Sequence, residues 1–151
     1  MRPATWITYG LAGVFLIGSL IFGGLFHFYD RFWWWDDMLH GVSGVVLVLV
    51  GLAIARAALG DWSTKIWFMV VFAFCLALAV GVLWEIMEFS SDTFFHTALQ
   101  QWDMPPQAIV MGKSYQGMGL RDTMSDLINA TIGATVSSIA AYVVLRLSSR
   151  R

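Results

Sequence analysis

Glu85 and Glu88 are the residues of this chain whose positions most demand a chemical explanation. They stand three apart at the end of a long apolar run, so on a helix they share one face. The C-terminal end of a helix disfavours anions, and ionisable groups within lipid are costly, so these two must be neutralised, paired or bound to a cation. Two further sets have comparable spacing. Asp36 and Asp37 precede His40 by four and three residues, which aligns carboxylate and imidazole along a helix. Asp122 and Asp126 lie four apart, with Ser125 and Asn129 adjoining. Carboxylates with one or two imidazoles are a donor set for Mn²⁺, Fe²⁺, Zn²⁺ or Mg²⁺. In a metal site of this kind His40, Glu85, Glu88 and Asp126 are the ligands and Asp37 or Asp122 the general base. Arg121 and Asn129 then hold substrate, Arg121 through a phosphate.

Other arrangements answer the same residues. One is a metal-free salt-bridge network with Arg31 and Arg121, and another a proton-titrating or ligand-binding pocket. Asp36, Asp37 and Asp122 sit where helices are expected to start, so capping of free amides accounts for them equally well. Capping does not account for Glu85, Glu88 or Asp126. His27 and His96 have no partner at helical spacing and read as packed or solvated side chains. An axial haem pair of His27 and His40 meets too many carboxylates to suit a porphyrin face.

The elements that must position these groups are apolar. Hydrophobic residues make up 58% of the 151 residues and charged ones 13%, with a mean hydropathy of +0.70. That is too little polar surface to coat a water-soluble globule. Four segments, at about 5–28, 40–59, 66–89 and 123–145, reach the roughly 20 helical residues a bilayer core requires. Backbone polar groups have no water to bond there, so each is expected as a helix. The fold expected is all-α: one membrane domain over 1–151, a bundle of four transmembrane helices with one long extracytoplasmic loop at 93–121. Phe94 to Leu99 are expected along the interface with Trp102 as anchor, and residues 60–64 as a compact turn. The first segment reads as a retained helix and not a cleaved leader, because its apolar core is too long.

Lysine and arginine place six residues on one side (Arg2, Arg56, Lys65, Arg146, Arg150, Arg151) and three on the other (Arg31, Lys113, Arg121). This puts both termini in the cytoplasm of a bacterial inner membrane. Nine of the ten acidic residues, and all three histidines, then fall at the opposite face. A net charge of −1 with no basic stripe speaks against nucleic acid as a partner. The single cysteine excludes a disulfide framework. Small residues, Gly10 with Gly13, Gly41 with Gly44, and Ala130, Ala134 and Ser138, are placed to let helices pack closely.

Three stretches, Trp35-Asp36-Asp37-Met38-Leu39-His40-Gly41, Leu83-Trp84-Glu85-Ile86-Met87-Glu88-Phe89 and Arg121 to Ala134, resemble the VanZ-like and YjdF-like families of small bacterial inner-membrane proteins. The resemblance covers the last three helices and implies that Asp37, His40, Glu85, Glu88, Asp122, Asp126 and Asn129 are the shared polar residues. Taken together, these readings suggest an outward-facing acidic pocket that binds a divalent metal ion and acts on a lipid or envelope-precursor head group. The alternative is a non-catalytic accessory subunit, whose eight tryptophans and eleven phenylalanines face lipid or other membrane-protein subunits.

Overall fold

The structure, a computed structural model, describes residues 3–59, 65–101 and 116–149. All regular structure among them is helical. Helix α1 (Pro3–Leu20) runs into a π-helical turn (Ile21–Leu25) and is followed by a short α2 (Phe28–Arg31). Then come α3 (Trp35–Leu59), α4 (Ile66–Phe95) and α5 (Met118–Ser148). Four stretches within these, Thr8–Leu25, Trp35–Leu59, Ile66–Phe95 and Met118–Ser148, are long and apolar enough to cross a membrane. The 30 residues of α4 extend about 45 Å against a hydrocarbon core of about 30 Å, so its end reaches beyond the core. His40 lies 19 residues before the end of α3, and Glu85 lies 19 after the start of α4. Both therefore sit about 29 Å, nearly a full core thickness, from the opposite end of the bundle.

Helices α3, α4 and α5 pack on one another, while α1 packs chiefly on α3. Their interior is small and partly polar, and their exterior is large and apolar. Ala73, Ala77 and Ala134 are buried, whereas Trp67, Leu83, Phe89, Ile132 and Ile139 are exposed. In lipid this distribution is the stable one, because apolar side chains gain little by leaving hydrocarbon and close backbone approach is what binds helices. The approach is tightest where α3 meets α5. A Cβ on Gly133 would lie 2.0 Å from the Gly41 carbonyl oxygen, and one on Gly44 would lie 2.2 Å from that of Ala130. Gly51 meets Ala73 of α4 in the same manner. Gly10 and Gly13, by contrast, have nothing within 4 Å among the described residues, so they make no such seam.

The helix limits depart from expectation at the polar end. The first span breaks after residue 25, where a ring of aromatics takes over: Phe28 stacks edge-on against Trp35 at 4.9 Å and against Phe32 at 5.1 Å. Helix α4 continues through Phe94 and Phe95 instead of laying them along the interface, and ends at His96 in the left-handed conformation. Helix α5 begins at Met118 after an extended Gly117, five residues earlier than the hydrophobicity suggests. Asp122 therefore lies inside the helix, where capping does not explain it. Residues 60–64 and 102–115, which hold the expected turn, Trp102 and Lys113, are outside the described residues.

Candidate metal and head-group site

At the end of the bundle where α3 and α5 begin and α4 finishes, three helices bring polar side chains into one buried volume. His40 occupies its centre. Its Nε2 lies 3.6 Å from Asp36 Oδ1 and 3.9 Å from Asp126 Oδ2, and its Nδ1 lies 3.7 Å from Glu85 Oε1. Asp126 is 1% exposed, Glu85 4% and Asp122 4%. Both oxygens of Glu85, and one each of Glu88, Asp122 and Asp126, have no hydrogen-bond partner among the described residues. Buried oxygens are rarely left this way, so each of these calls for a proton, a water or an ion. A small cavity of about 10 Å³ between Asp36, Asp122 and Asp126 adjoins them, about the size that holds one water or ion.

One donor atom each from Asp36, His40 and Asp126 falls within 4.8 Å of the others. Direct hydrogen bonds would bring these atoms to about 2.7–3.2 Å. Oxygens and nitrogens sharing a tetrahedral ion at about 2.1 Å would stand about 3.4 Å apart. The observed separations from Nε2 are close to that larger figure. The other ring nitrogen faces Glu85 at 3.7 Å, a separation of the same size and likewise longer than a direct hydrogen bond.

Consecutive helical residues point about 100° apart, which divides Asp36 from Asp37. Asp36 turns toward His40 and also accepts from Gln101 Nε2. Asp37 turns toward α5, where its Oδ1 accepts from Ser125 Oγ and, at 2.6 Å, from Asn129 Nδ2. Asp37 and Asn129 are thus a pair on the flank of the cluster. Glu88 accepts from Trp84 Nε1 at 2.7 Å, one turn along its own helix. It remains close enough to Glu85, Asp36 and Asp122 to interact with their charges. Arg121 is buried, with Nη1 3.5 Å from Met118 Sδ. Asp92 lies one turn beyond Glu88 on the same face of α4. It accepts from Thr97 Oγ1 and the amides of Leu99 and Gln100 at 2.6–3.0 Å, and so shapes the turn leaving α4. That turn covers the site through Gln101 on Asp36 and through Gln100 Nε2, which donates to Thr123 Oγ1.

His27, read from sequence as having no partner, lies 3.4 Å from Asp30 on the exposed surface, and His96 is exposed. Three residues near the cluster escaped sequence reasoning as site members. Asp36 carries a legible signal, its four-residue spacing to His40. Gln101 carries none, because its place depends on a left-handed backbone (φ 44°). Tyr29 carries none either. Its ring lies over Gly23, where a Cβ would come within 2.1 Å of it. Burial, and then the charges of Asp36, Glu88 and Asp126, push its phenol above the ordinary range.

Apolar helices closed at one end by buried carboxylates around an imidazole define a small multi-pass membrane protein with an ionisable centre. The chain belongs to the family described as "Predicted membrane protein (DUF2238)", which it matches over residues 2–147. It is 28% identical over 122 residues to a protein of Thermotoga maritima described as uncharacterized, an alignment covering 81% of this chain and 55% of the relative. The chain thus spans little more than half the length of that relative. No solved structure matches it.

Proposed function

We propose that the cluster is a divalent-cation centre which serves chemistry on a lipid or envelope-precursor head group at the extracytoplasmic face of a bacterial inner membrane. The observation that carries this reading is the convergence of Asp36, His40 and Asp126, with Asp126 Oδ2 buried and lacking a hydrogen-bond partner among the described residues. Carboxylates this close and this dry must take up protons or meet positive charge, and oxygen with imidazole suits Mn²⁺, Fe²⁺, Zn²⁺ or Mg²⁺. On this reading Asp36, His40 and Asp126 hold the ion, and Glu85 stands at the other face of the imidazole, 3.7 Å from Nδ1. Glu88, held by Trp84, balances charge one turn away. A cation there supplies Lewis-acid polarisation of a phosphoryl oxygen or acidification of water. Asp122, buried beside the cluster, is the candidate base, and Arg121, its neighbour, the candidate phosphate contact. The depth of His40 and Glu85 suits a head group and not an acyl tail. The resemblance of the polar motifs to VanZ-like and YjdF-like proteins agrees with an envelope role.

Elemental analysis of protein purified in detergent without chelator tests the proposal. About one equivalent of a transition metal or Mg²⁺ per chain is expected. Metal-free protein that also fails to take up Mn²⁺, Fe²⁺, Zn²⁺ or Mg²⁺ on addition would end the reading. The excess of lysine and arginine on the opposite side supports cytoplasmic termini. Alkaline phosphatase fused after residue 151 is accordingly expected to be inactive in cells, and an active fusion would reverse the orientation.

A further inference from the structure

Beside the cluster, and separate from it, an open groove of about 680 Å³ runs between α3 and α5. Its floor is Gly41 and Gly133, where the two backbones approach most closely. The lower walls are apolar and face outward: Val42 and Val45 are each 37% exposed, Ile132 55% and Val136 61%. At its upper end stand Asp37, Ser125 and Asn129, flanked by Trp33 and Trp34. Trp33, Asp37 and Ser125 also line the small cavity within the cluster, so groove and cluster share a wall.

We infer that this groove binds one membrane lipid whose head group carries an ammonium, with a hydrocarbon chain along α3 and α5 and the ammonium at Asp37 between the two indoles. Any lipid-facing furrow collects acyl chains, so length and head-group chemistry must supply the selectivity. From Asp37 to Val45 the groove extends eight residues, about 12 Å, most of the roughly 15 Å of one leaflet's hydrocarbon. A chain therefore fills it and leaves the head group level with Asp37. Both donors to Asp37, Ser125 and Asn129, converge on Oδ1. A carboxylate accepts about four hydrogen bonds, which leaves capacity for a further donor. An ammonium offers three donors and no acceptor, and indole faces attract it further. Trp33 and Trp34 are 59% and 43% exposed and within reach of such a group. An anionic head group would instead set its phosphate against Asp37, with Asp36, Asp122 and Asp126 behind it.

The inference names the substrate class for the head-group reading above and rests on that reading, but it does not require the cation. Native mass spectrometry of the full chain in detergent, in excess chelator, with equimolar phosphatidylethanolamine and phosphatidylglycerol of identical acyl chains, tests it. The ethanolamine lipid is expected to be retained about tenfold over the glycerol lipid, the scale of a charge-assisted hydrogen bond. Asp37→Asn, which keeps an oxygen for Ser125 and Asn129, is expected to erase that preference. Trp33→Leu, exposed and outside the α3–α5 seam, is expected to reduce it, and this variant decides the matter if Asp37→Asn does not fold. Val45→Trp is expected to weaken retention of both lipids. Equal retention by the native protein, or a preference that survives both head-group variants, overturns the inference. Because chelator is present throughout, that failure is separate from a failure of metal analysis on untreated protein.

Discussion

Asp126→Asn is expected to abolish the stabilisation that a cation at the proposed centre would give, while leaving the helices assembled. A ligand at 100 times its dissociation constant stabilises the folded state by about 2.7 kcal/mol. Native protein titrated with a divalent cation that fills the proposed centre should gain that amount, read as a shift in denaturant or thermal midpoint. The variant should gain little at the same concentration. Asp126 is the most deeply buried of the three clustered donors and its Oδ2 has no hydrogen-bond partner among the described residues. In chelator the order should change: the variant should be as stable as the native protein or more so. A neutral amide then replaces a carboxyl group that, packed among other carboxylates, must otherwise take up a proton or repel its neighbours. A structural salt-bridge network behaves in the opposite way, since breaking one costs about 3–5 kcal/mol with no cation involved. Equal responses to metal in both proteins would remove Asp126 from any ion site.

The second large effect is steric. Gly133→Ala is expected to destabilise the protein by about 1–3 kcal/mol, the range for a side chain forced into filled space. The added carbon would stand 2.0 Å from a backbone carbonyl of α3, which cannot rotate away as a side chain would. Gly81→Ala is the control: it too is inside a helix, but nothing among the described residues lies within 4 Å. Helix propensity alone then applies and favours alanine by about 1 kcal/mol. SDS or steric-trap unfolding of the two variants should move in opposite directions. Gly133→Ala should also weaken cation binding at the proposed centre, because His40 adjoins Gly41 on α3 and Asp126 lies about two turns from Gly133 on α5. Unchanged stability would mean that α3 and α5 do not meet closely at Gly41 and Gly133.

Much of this was legible before any coordinates. Runs of 20 or more apolar residues leave the backbone no choice but helix in lipid, so four spans follow from hydropathy alone. The gathering of acidic residues at one face follows from counting along those spans. So does the burial of Glu85, since an ionisable group near the end of an apolar helix turns inward. Helix limits were less legible where polar residues continue a helix past its apolar core. Asp122 looked like a cap for that reason, yet α5 had already begun at Met118.

Composition and spacing set the membrane location, the helical class and the inventory of groups at the polar end, because lipid penalises every unpaired backbone amide and every stray charge. Tertiary structure alone decided which of those groups meet. Asp36 faces His40 and Asp37 faces Asn129 because a helix turns about 100° per residue and α5 approaches through its glycine on one side only. Gln101 and Tyr29 arrive by way of a left-handed residue and a π-helical turn, and neither backbone state is written in hydropathy.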